Sequence, residues 1–435
     1  MPAAVRLDAA LRDIELKACL AEPLLNVMNF LNEVVAEFPS AISFAPGRPL
    51  DSLLGVEGHL DALRVYVEAA ARAGDGDPAT VWRDLGQYSR TIGMITEAVA
   101  AHLRLDEGID VAPDAIIVTV GAQEAMAIVL AGLFDAREDI LLASDPAYIG
   151  ITGLARLLGI HVVPVPAADG GLEPDAVERA IAQASRTGRV RALYDIPDFN
   201  NPLGTSLPVA TRLELLDLCR RHDVLMIEDN AYGMFAYDAA RPPTMKSLDA
   251  NGDVLYIGSF SKTLFPGLRL GYLVANQRVR STGETLAVAL SRVKSLLTVN
   301  TPPLLQAIAA GALLQAGGSL EPIVAPKRAR YKQQRDAMLA ALAERLGSGG
   351  HGVSWNSPAG GFFMTVTLPF EFGPAELRRC ALEHGVIVCP MRFFCLGPGR
   401  TNQIRLSFSA VEPETINAGI ERLAAFIRTE ARRSD

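Results

Sequence analysis

The stretch VLYIGSFSKTLFPGLRLGYLVA, residues 254–275, decides the reading. It begins and ends on near-continuous apolar runs, VLYIGS (254–259) and LGYLVA (270–275), with Ser-x-Ser-Lys and Pro-Gly-x-Arg between them. A strand covered by helices on both faces reads as an unbroken apolar run, because neither face meets water. Five more such runs precede this stretch: AIIVTV (115–120), DILLAS (139–144), HVVPV (161–165), VRALYDI (190–196) and VLMIED (224–229). Helical patterns separate several of them, as in EAMAIVLAGLFD (124–135), PDAVERAIAQAS (174–185) and VATRLELLDLCRRHD (209–223). This alternation predicts an α/β domain with a mostly parallel seven-stranded sheet sandwiched by helices.

The flanks read differently. Residues 1–40 look helical, with LLNVMNFLNEVVAEF (24–38) amphipathic, and residues 325–346 form a charged helix. GGFFMTVTLP (360–369), VIVCP (386–390) and QIRLSFS (403–409) read as strands, and a helix closes the chain near 412–428. We expect a large domain over 61–320 and a smaller α+β domain built from both ends, residues 1–60 and 321–435.

Composition narrows the function. A chain of 435 residues holds two or three domains at about 150 residues each. With 49% hydrophobic and 21% charged residues, disordered and fibrous classes are excluded. A net charge of −8 argues against a general nucleic-acid or anionic-membrane binder. Five cysteines, an odd number without a CxxC pair, suit a reduced, cytoplasmic protein and point to no metal site. MPAAVRLDAALRDIELKACL (1–20) lacks the apolar core of a signal peptide, and the run AMAIVLAGLF is too short to span a bilayer.

In open α/β sheets, ligands bind beyond the carboxyl ends of the strands. Three kinds of residue stand there. VTVGAQEAM (118–126) turns through Gly121 into a helix, whose free N–H groups suit a phosphate; a plain helix cap is the competing reading. VLMIED ends on Asp229, an acid that is costly to bury unless paired, or else a cap for the next helix. Lys262 lies among Ser259, Ser261 and Arg269, where desolvation and nearby cations favour a neutral, nucleophilic amine. Arg269 and the two serines are suited to hold a phosphate.

Taken in order, these motifs resemble the fold-type I pyridoxal-phosphate enzymes of the class I/II aminotransferase family, over roughly residues 40–428. The resemblance implies that Lys262 carries pyridoxal 5′-phosphate as an internal aldimine and later moves a proton at the substrate Cα. It implies that Asp229 pairs with the pyridine nitrogen, and that Tyr232 and Asn201, the latter in PDFNNPLG (197–204), bind the ring's 3′ oxygen. The implied phosphate cup is Gly121, Ala122 and Gln123 with Ser259, Ser261 and Arg269. Tyr148, in DPAYIG (145–150), would stack on the ring. Tyr88, in LGQYSRTIG (85–93), would reach the phosphate in a neighbouring subunit, which implies a homodimer with shared sites. Arg405 would clamp the substrate carboxylate, with the Gly47 backbone and Asn201 beside it.

The chain departs from the family pattern in two places. A common Pro-Gly-x-x-Phe reads Pro390-Met391-Arg392-Phe393-Phe394, and Asn-Pro-Thr-Gly reads Asn-Pro-Leu-Gly at 201–204, after Asn200. Substrate choice and, with it, the reaction type are the properties these changes touch. Arg392 and Arg48 suit a distal anion, whereas Phe44, Phe393 and Phe394 suit an apolar or aromatic side chain. The expected reaction is amino transfer between an L-amino acid and a 2-oxo acid. A lyase, cyclase, or oxidative or decarboxylating deaminase of specialised metabolism is the alternative. A sensor domain fused to a DNA-binding module would need an N-terminal winged helix, for which the sequence leaves no room.

Overall fold

All seven apolar runs between residues 115 and 275 become strands of one sheet. The computed structural model describes residues 14–74, 76–347 and 352–434; the helix expected over residues 1–13 lies outside them. In chain order, β1 is Ile42–Ser43, β2 Ile116–Thr119, β3 Asp139–Asp145, β4 His161–Pro166 and β5 Arg189–Asp195. Next come β6 Leu225–Asn230, β7 Val254–Ser259 and β8 Gly271–Val274. The sheet order is β2-β8-β7-β6-β5-β3-β4. Strands β4, β3, β5, β6 and β7 run parallel, and β8 pairs antiparallel with both β7 and β2.

Burial explains the unbroken apolar runs. Ile116, Ile117, Val118, Leu141, Leu142, Leu193, Met226, Ile227, Leu255, Ile257 and Leu273 are all wholly inaccessible. Each such side chain contributes about 1.5–3 kcal/mol through the water it leaves. Helices Gly121–Leu133, Pro174–Ala184 and Val209–Arg221 form at the patterned segments, within a few residues of expectation. Pro174 opens the second of these at a position where a missing N–H costs nothing.

The rest of the chain builds smaller sheets. Strands β9 (Ser354–Trp355), β10 (Phe363–Thr367), β12 (Cys389–Pro390) and β13 (Gln403–Ser407) form an antiparallel sheet in the order β12-β13-β10-β9. Strand β11 (Val386–Ile387) instead pairs in parallel with β1, which ties the N-terminal segment to the C-terminal one. The run VIVCP, expected as one strand, is thus split between two sheets at Val388. The strand β13 is central, so Arg405 lies opposite both Thr365 and Cys389. Helices Pro23–Glu37, Glu321–Leu346 and Pro413–Ser434 complete the frame.

Candidate active site at the carboxyl ends of the central strands

Three adjacent strands deliver three chemical groups to one cavity of about 400 Å³. Beyond β5 the chain turns through Asn201; β6 carries Asp229 near its end; β7 ends on Ser259 and runs on through Ser261 to Lys262. Alternation along β6 separates its two acids. Glu228 accepts the N–H groups of Met245 (2.9 Å) and Lys246 (2.7 Å), while Asp229 lines the cavity.

Lys262 is the lysine, of six in the chain, that lines the cavity. Its Nζ donates to the Gly47 carbonyl at 2.8 Å. Burial, then the charges of Arg269 and Arg405, lowers its pKa to about 8. The amine therefore becomes a competent nucleophile near neutral pH. Lys327 fastens the turn after Lys262, donating to the carbonyls of Thr263 and Leu264, both at 2.7 Å.

Asp229 is almost wholly buried. Tyr194 Oη donates to its Oδ2 at 2.7 Å, while Oδ1 has no hydrogen-bond partner. Burial raises its pKa to about 6, the Tyr194 bond opposes that rise, and the charge of Asp195 adds to it. A buried carboxylate oxygen left open asks for a cationic or N–H partner. Burial likewise raises the pKa of Tyr232, so its hydroxyl stays a donor throughout the physiological range.

At the other end, helix Gly121–Leu133 points its N-terminus at the cavity, with Ala122 and Gln123 in the wall. Gly121 has φ +71°, and a Cβ there would fall 2.7 Å from Arg269 Nη2. Only glycine fits that turn without displacing the arginine. Arg269 Nη1 approaches Ser261 Oγ at 3.5 Å, and Ser259 completes the wall. Below the turn, Glu124 accepts Val120 N at 2.6 Å and the buried Lys294 Nζ at 2.8 Å, which holds the first helical residues in place. Free N–H groups, a helix dipole and a guanidinium together make an anion cradle. Tyr148 stands over the same space, its hydroxyl 3.4 Å from Gln123 Oε1.

Arg405 forms the remaining wall. It is 5% exposed, and its Nη1 donates to Asn201 Oδ1 at 2.7 Å while Nη2 donates to the Ala45 carbonyl. Its Cζ lies 4.4 Å from the Phe363 ring centre and 4.6 Å from that of Phe394. Its Nε has no partner. Gly47 must be bare here too, since a Cβ would fall 2.2 Å from the Phe363 ring. A guanidinium held flat by rings, with a buried donor left over, is prepared for a carboxylate.

The structure thus brings together Gly47, Ala122, Gln123, Tyr148, Asn201, Asp229, Tyr232, Ser259, Ser261, Lys262, Arg269 and Arg405 on one cavity, with Gly121 against Arg269. Arg392 is a correction. It sits in the short turn Met391–Phe394, which buries Met391 and sends Phe394 to the cavity, and its own side chain faces outward, away from that wall. Arg48 is also outside, paired with Asp51 at 2.8 Å on the surface. Phe44 and Phe393 belong to the core. Tyr88 is 83% exposed and takes no part in its own chain's cavity. Sequence reasoning missed Tyr194, Phe363 and Lys327, and also Leu31, Asn32 and Val35 of helix Pro23–Glu37, which edge the cavity. The amphipathic pattern of that helix was a signal, but it did not say which residues meet a ligand.

The donor set fits pyridoxal phosphate. The cradle suits a phosphate, the open Asp229 oxygen a protonated ring nitrogen, and Lys262 an aldehyde carbon.

Known proteins share this architecture and sequence. The sequence model of the family described as aminotransferase class I and II matches residues 55–423. A (S)-3,5-dihydroxyphenylglycine transaminase of Amycolatopsis orientalis is 43% identical over 418 residues, covering 96% of this chain and 94% of that protein. A 2-aminoadipate transaminase of Thermus thermophilus is 32% identical over 401 residues, covering 90% and 91%. The crystal structure of a kynurenine aminotransferase of Pyrococcus horikoshii superposes with a TM-score of 0.81 at 28% identity, covering 96% of this chain and 97% of the other.

Proposed function

The chain belongs to the class I and II aminotransferases, whose members use pyridoxal phosphate, and from that premise we propose how its own residues transfer an amino group. The carrying observation is that Lys262, Asp229 and Arg405 meet on one cavity.

When bound, pyridoxal phosphate supplies an electrophilic carbon and an electron-withdrawing ring that stabilises negative charge at the substrate Cα. Gly121, Ala122, Gln123, Ser259, Ser261 and Arg269 would hold the phosphate, and Tyr148 would pack against the ring. Asn201 and Tyr232 hold the ring's 3′ oxygen. Asp229, ionised, sustains the positive charge on the ring nitrogen. Arg405 grips the substrate carboxylate, which orients the Cα–H bond toward Lys262. Lys262, neutral above about pH 8, would take the substrate Cα proton and carry it to the electrophilic carbon on the other side of the transferred nitrogen, two atoms along.

The substrate side chain we propose is neutral and apolar to aromatic. The cations in the cavity wall, among the described residues, are Lys262, Arg269 and Arg405, each with a role already. Leu31, Val35, Ile149, Phe363 and Phe394 supply apolar surface, with the Asn32 amide at the edge. The relative named for dihydroxyphenylglycine points the same way.

A homodimer is part of this reading. Tyr88, Leu296 (89% exposed), Leu297 and Val299 offer apolar surface to a second copy, and Asn300 Nδ2 binds Ser89 Oγ at 3.1 Å to join the two segments. So are the division near residues 60 and 320 and a reducing, cytoplasmic setting, the latter supported by five free cysteines. Among the described residues, no helix is long and apolar enough to cross a membrane.

The test is a single turnover of holoenzyme with a panel of amino acids, followed by mass spectrometry of the released cofactor. The expected result is cofactor in its amine form with the matching 2-oxo acid, fastest for aryl and large apolar donors. Cofactor left unchanged while substrate loses ammonia, CO₂ or a side-chain group would refute transfer. Preference for aspartate, glutamate or 2-aminoadipate would refute the neutral pocket.

A further inference from the structure

Asp145 ends β3 and stands outside the cavity wall, yet both of its carboxylate oxygens are hydrogen-bonded. Oδ1 accepts the Leu396 N–H at 2.8 Å and Oδ2 accepts the Gly397 N–H at 3.2 Å. One residue past the adjoining proline, the Ala147 N–H donates to the Phe394 carbonyl at 2.9 Å. Three hydrogen bonds therefore fix segment 394–397 to the carboxyl end of the central sheet. On one side of this joint is Tyr148, in the cavity wall; on the other is Phe394, whose ring lies against Arg405. Beyond it, Arg400 Nη2 donates to the Ala167 carbonyl at 2.6 Å, while the Ala167 N–H donates to the Asp145 carbonyl at 3.0 Å. The loop is thus pinned at two points to the same pair of parallel strands, β3 and β4.

The arrangement is economical with specific groups. Backbone N–H donors aimed at one carboxylate make charge-assisted bonds, shorter and stronger than neutral ones. The position of Phe394 limits where the Arg405 guanidinium can lie, because Phe363 bounds it too. We propose that Asp145 is a positioning residue for the substrate-carboxylate clamp: by fixing segment 394–397 it sets Phe394, and through Phe394 the guanidinium of Arg405. This rests on Arg405 being the clamp.

The test measures kcat and KM for one amino donor and one 2-oxo acid in the dimeric holoenzyme. The variants are Asp145→Ala, Asp145→Asn, Phe394→Ala, the double variant Asp145→Ala/Phe394→Ala, and Arg405→Lys. Both Asp145 variants should raise KM for donor and acceptor about tenfold, the size of one lost hydrogen bond to a charged group, with kcat within about threefold. Asn retains one acceptor but turns its amide toward an N–H, so it falls short of rescue. Cofactor content and the absorption of the bound cofactor should match the parent. In the double variant, the Asp145 effect should vanish, because its route to Arg405 is gone. An unchanged KM in both Asp145 variants would overturn the proposal. So would additive losses in the double variant, or lowered cofactor content with KM unchanged. If the Ala variant does not fold, the Asn variant carries the same comparison in the Phe394→Ala background. Should Arg405→Lys leave KM unaltered, the clamp assignment itself fails, which separates the two conclusions.

Discussion

Tyr194→Phe isolates one hydrogen bond and leaves shape untouched. The Tyr194 ring is wholly buried in β5, and its hydroxyl makes the only hydrogen bond to the Asp229 carboxylate among the described residues, at 2.7 Å. That bond favours the ionised carboxylate, against a burial effect that already lifts the pKa to about 6. A hydrogen bond to a charged group contributes about 1.5–3 kcal/mol. At 1.36 kcal/mol per unit, its loss raises the Asp229 pKa further by about one to two units. A bound ring cation lowers the value in both proteins and leaves the difference. Asp229 must be ionised to work, so the acid limb of the kcat/KM profile moves to higher pH by about one to two units. Below that limb the variant is about 10- to 100-fold slower, and well above it the two proteins converge. The assay is kcat/KM against pH from 5 to 9 with a saturated cofactor site. Superimposed profiles, or a uniform loss at every pH, would refute the assignment of Tyr194 as the group that keeps Asp229 ionised.

Three other perturbations have definite outcomes. Arg405→Lys removes the planar fork and its contact with two rings, so kcat/KM for amino donors should fall about 100-fold in steady-state assays while cofactor binding is retained. Lys327→Met leaves the buried Thr263 and Leu264 carbonyls without their donor, which costs about 1–3 kcal/mol for each; denaturant titration should show lower stability, and the turn after Lys262 should become the most exchange-prone part of the site. Glu228, Asp195 and Asp229 have carboxyls raised by burial to about 7, 6 and 6, so the folded apoprotein binds more protons than the unfolded chain between those values and the usual carboxylate range. Their stability contribution therefore grows as pH falls from 7.5 to 5.5, by on the order of 3–4 kcal/mol together, and urea titrations of the apoprotein and of Asp229→Asn should show a smaller gain in the variant.

The central sheet was legible because its strands are buried on both faces, which writes Val, Leu and Ile without interruption into segments such as VLYIGS and VLMIED. The cofactor side of the site was legible for a related reason. Asn201, Asp229 and Lys262 lie at the ends of three adjacent strands, so polar residues just past apolar runs fall on one edge of the sheet. Tyr194 was hidden, since a tyrosine inside an apolar strand reads as core, and only the register of β5 beside β6 brings its hydroxyl to Asp229. Arg392 was misplaced because a single short turn has no periodicity from which to read the direction of its side chains. Phe363 and Asp145 act through contacts far apart in sequence, with Arg405 and with Leu396 and Gly397, and no local pattern marks such pairs. The substrate end of the cavity shares this character. It is assembled from helix Pro23–Glu37, the turn Met391–Phe394 and strand β13, which lie at opposite ends of the chain.

The central claim is that one amine, Lys262, carries the cofactor. Reduction of the holoenzyme with borohydride, then digestion and peptide mass spectrometry, tests it directly. The chain has six lysines, and Lys262 is the one that lines the cavity, so the labelled peptide discriminates between them. The account predicts the reduced cofactor's mass on the peptide containing Lys262, and its disappearance in Lys262→Ala. The label on any other lysine, or its persistence in that variant, would contradict it.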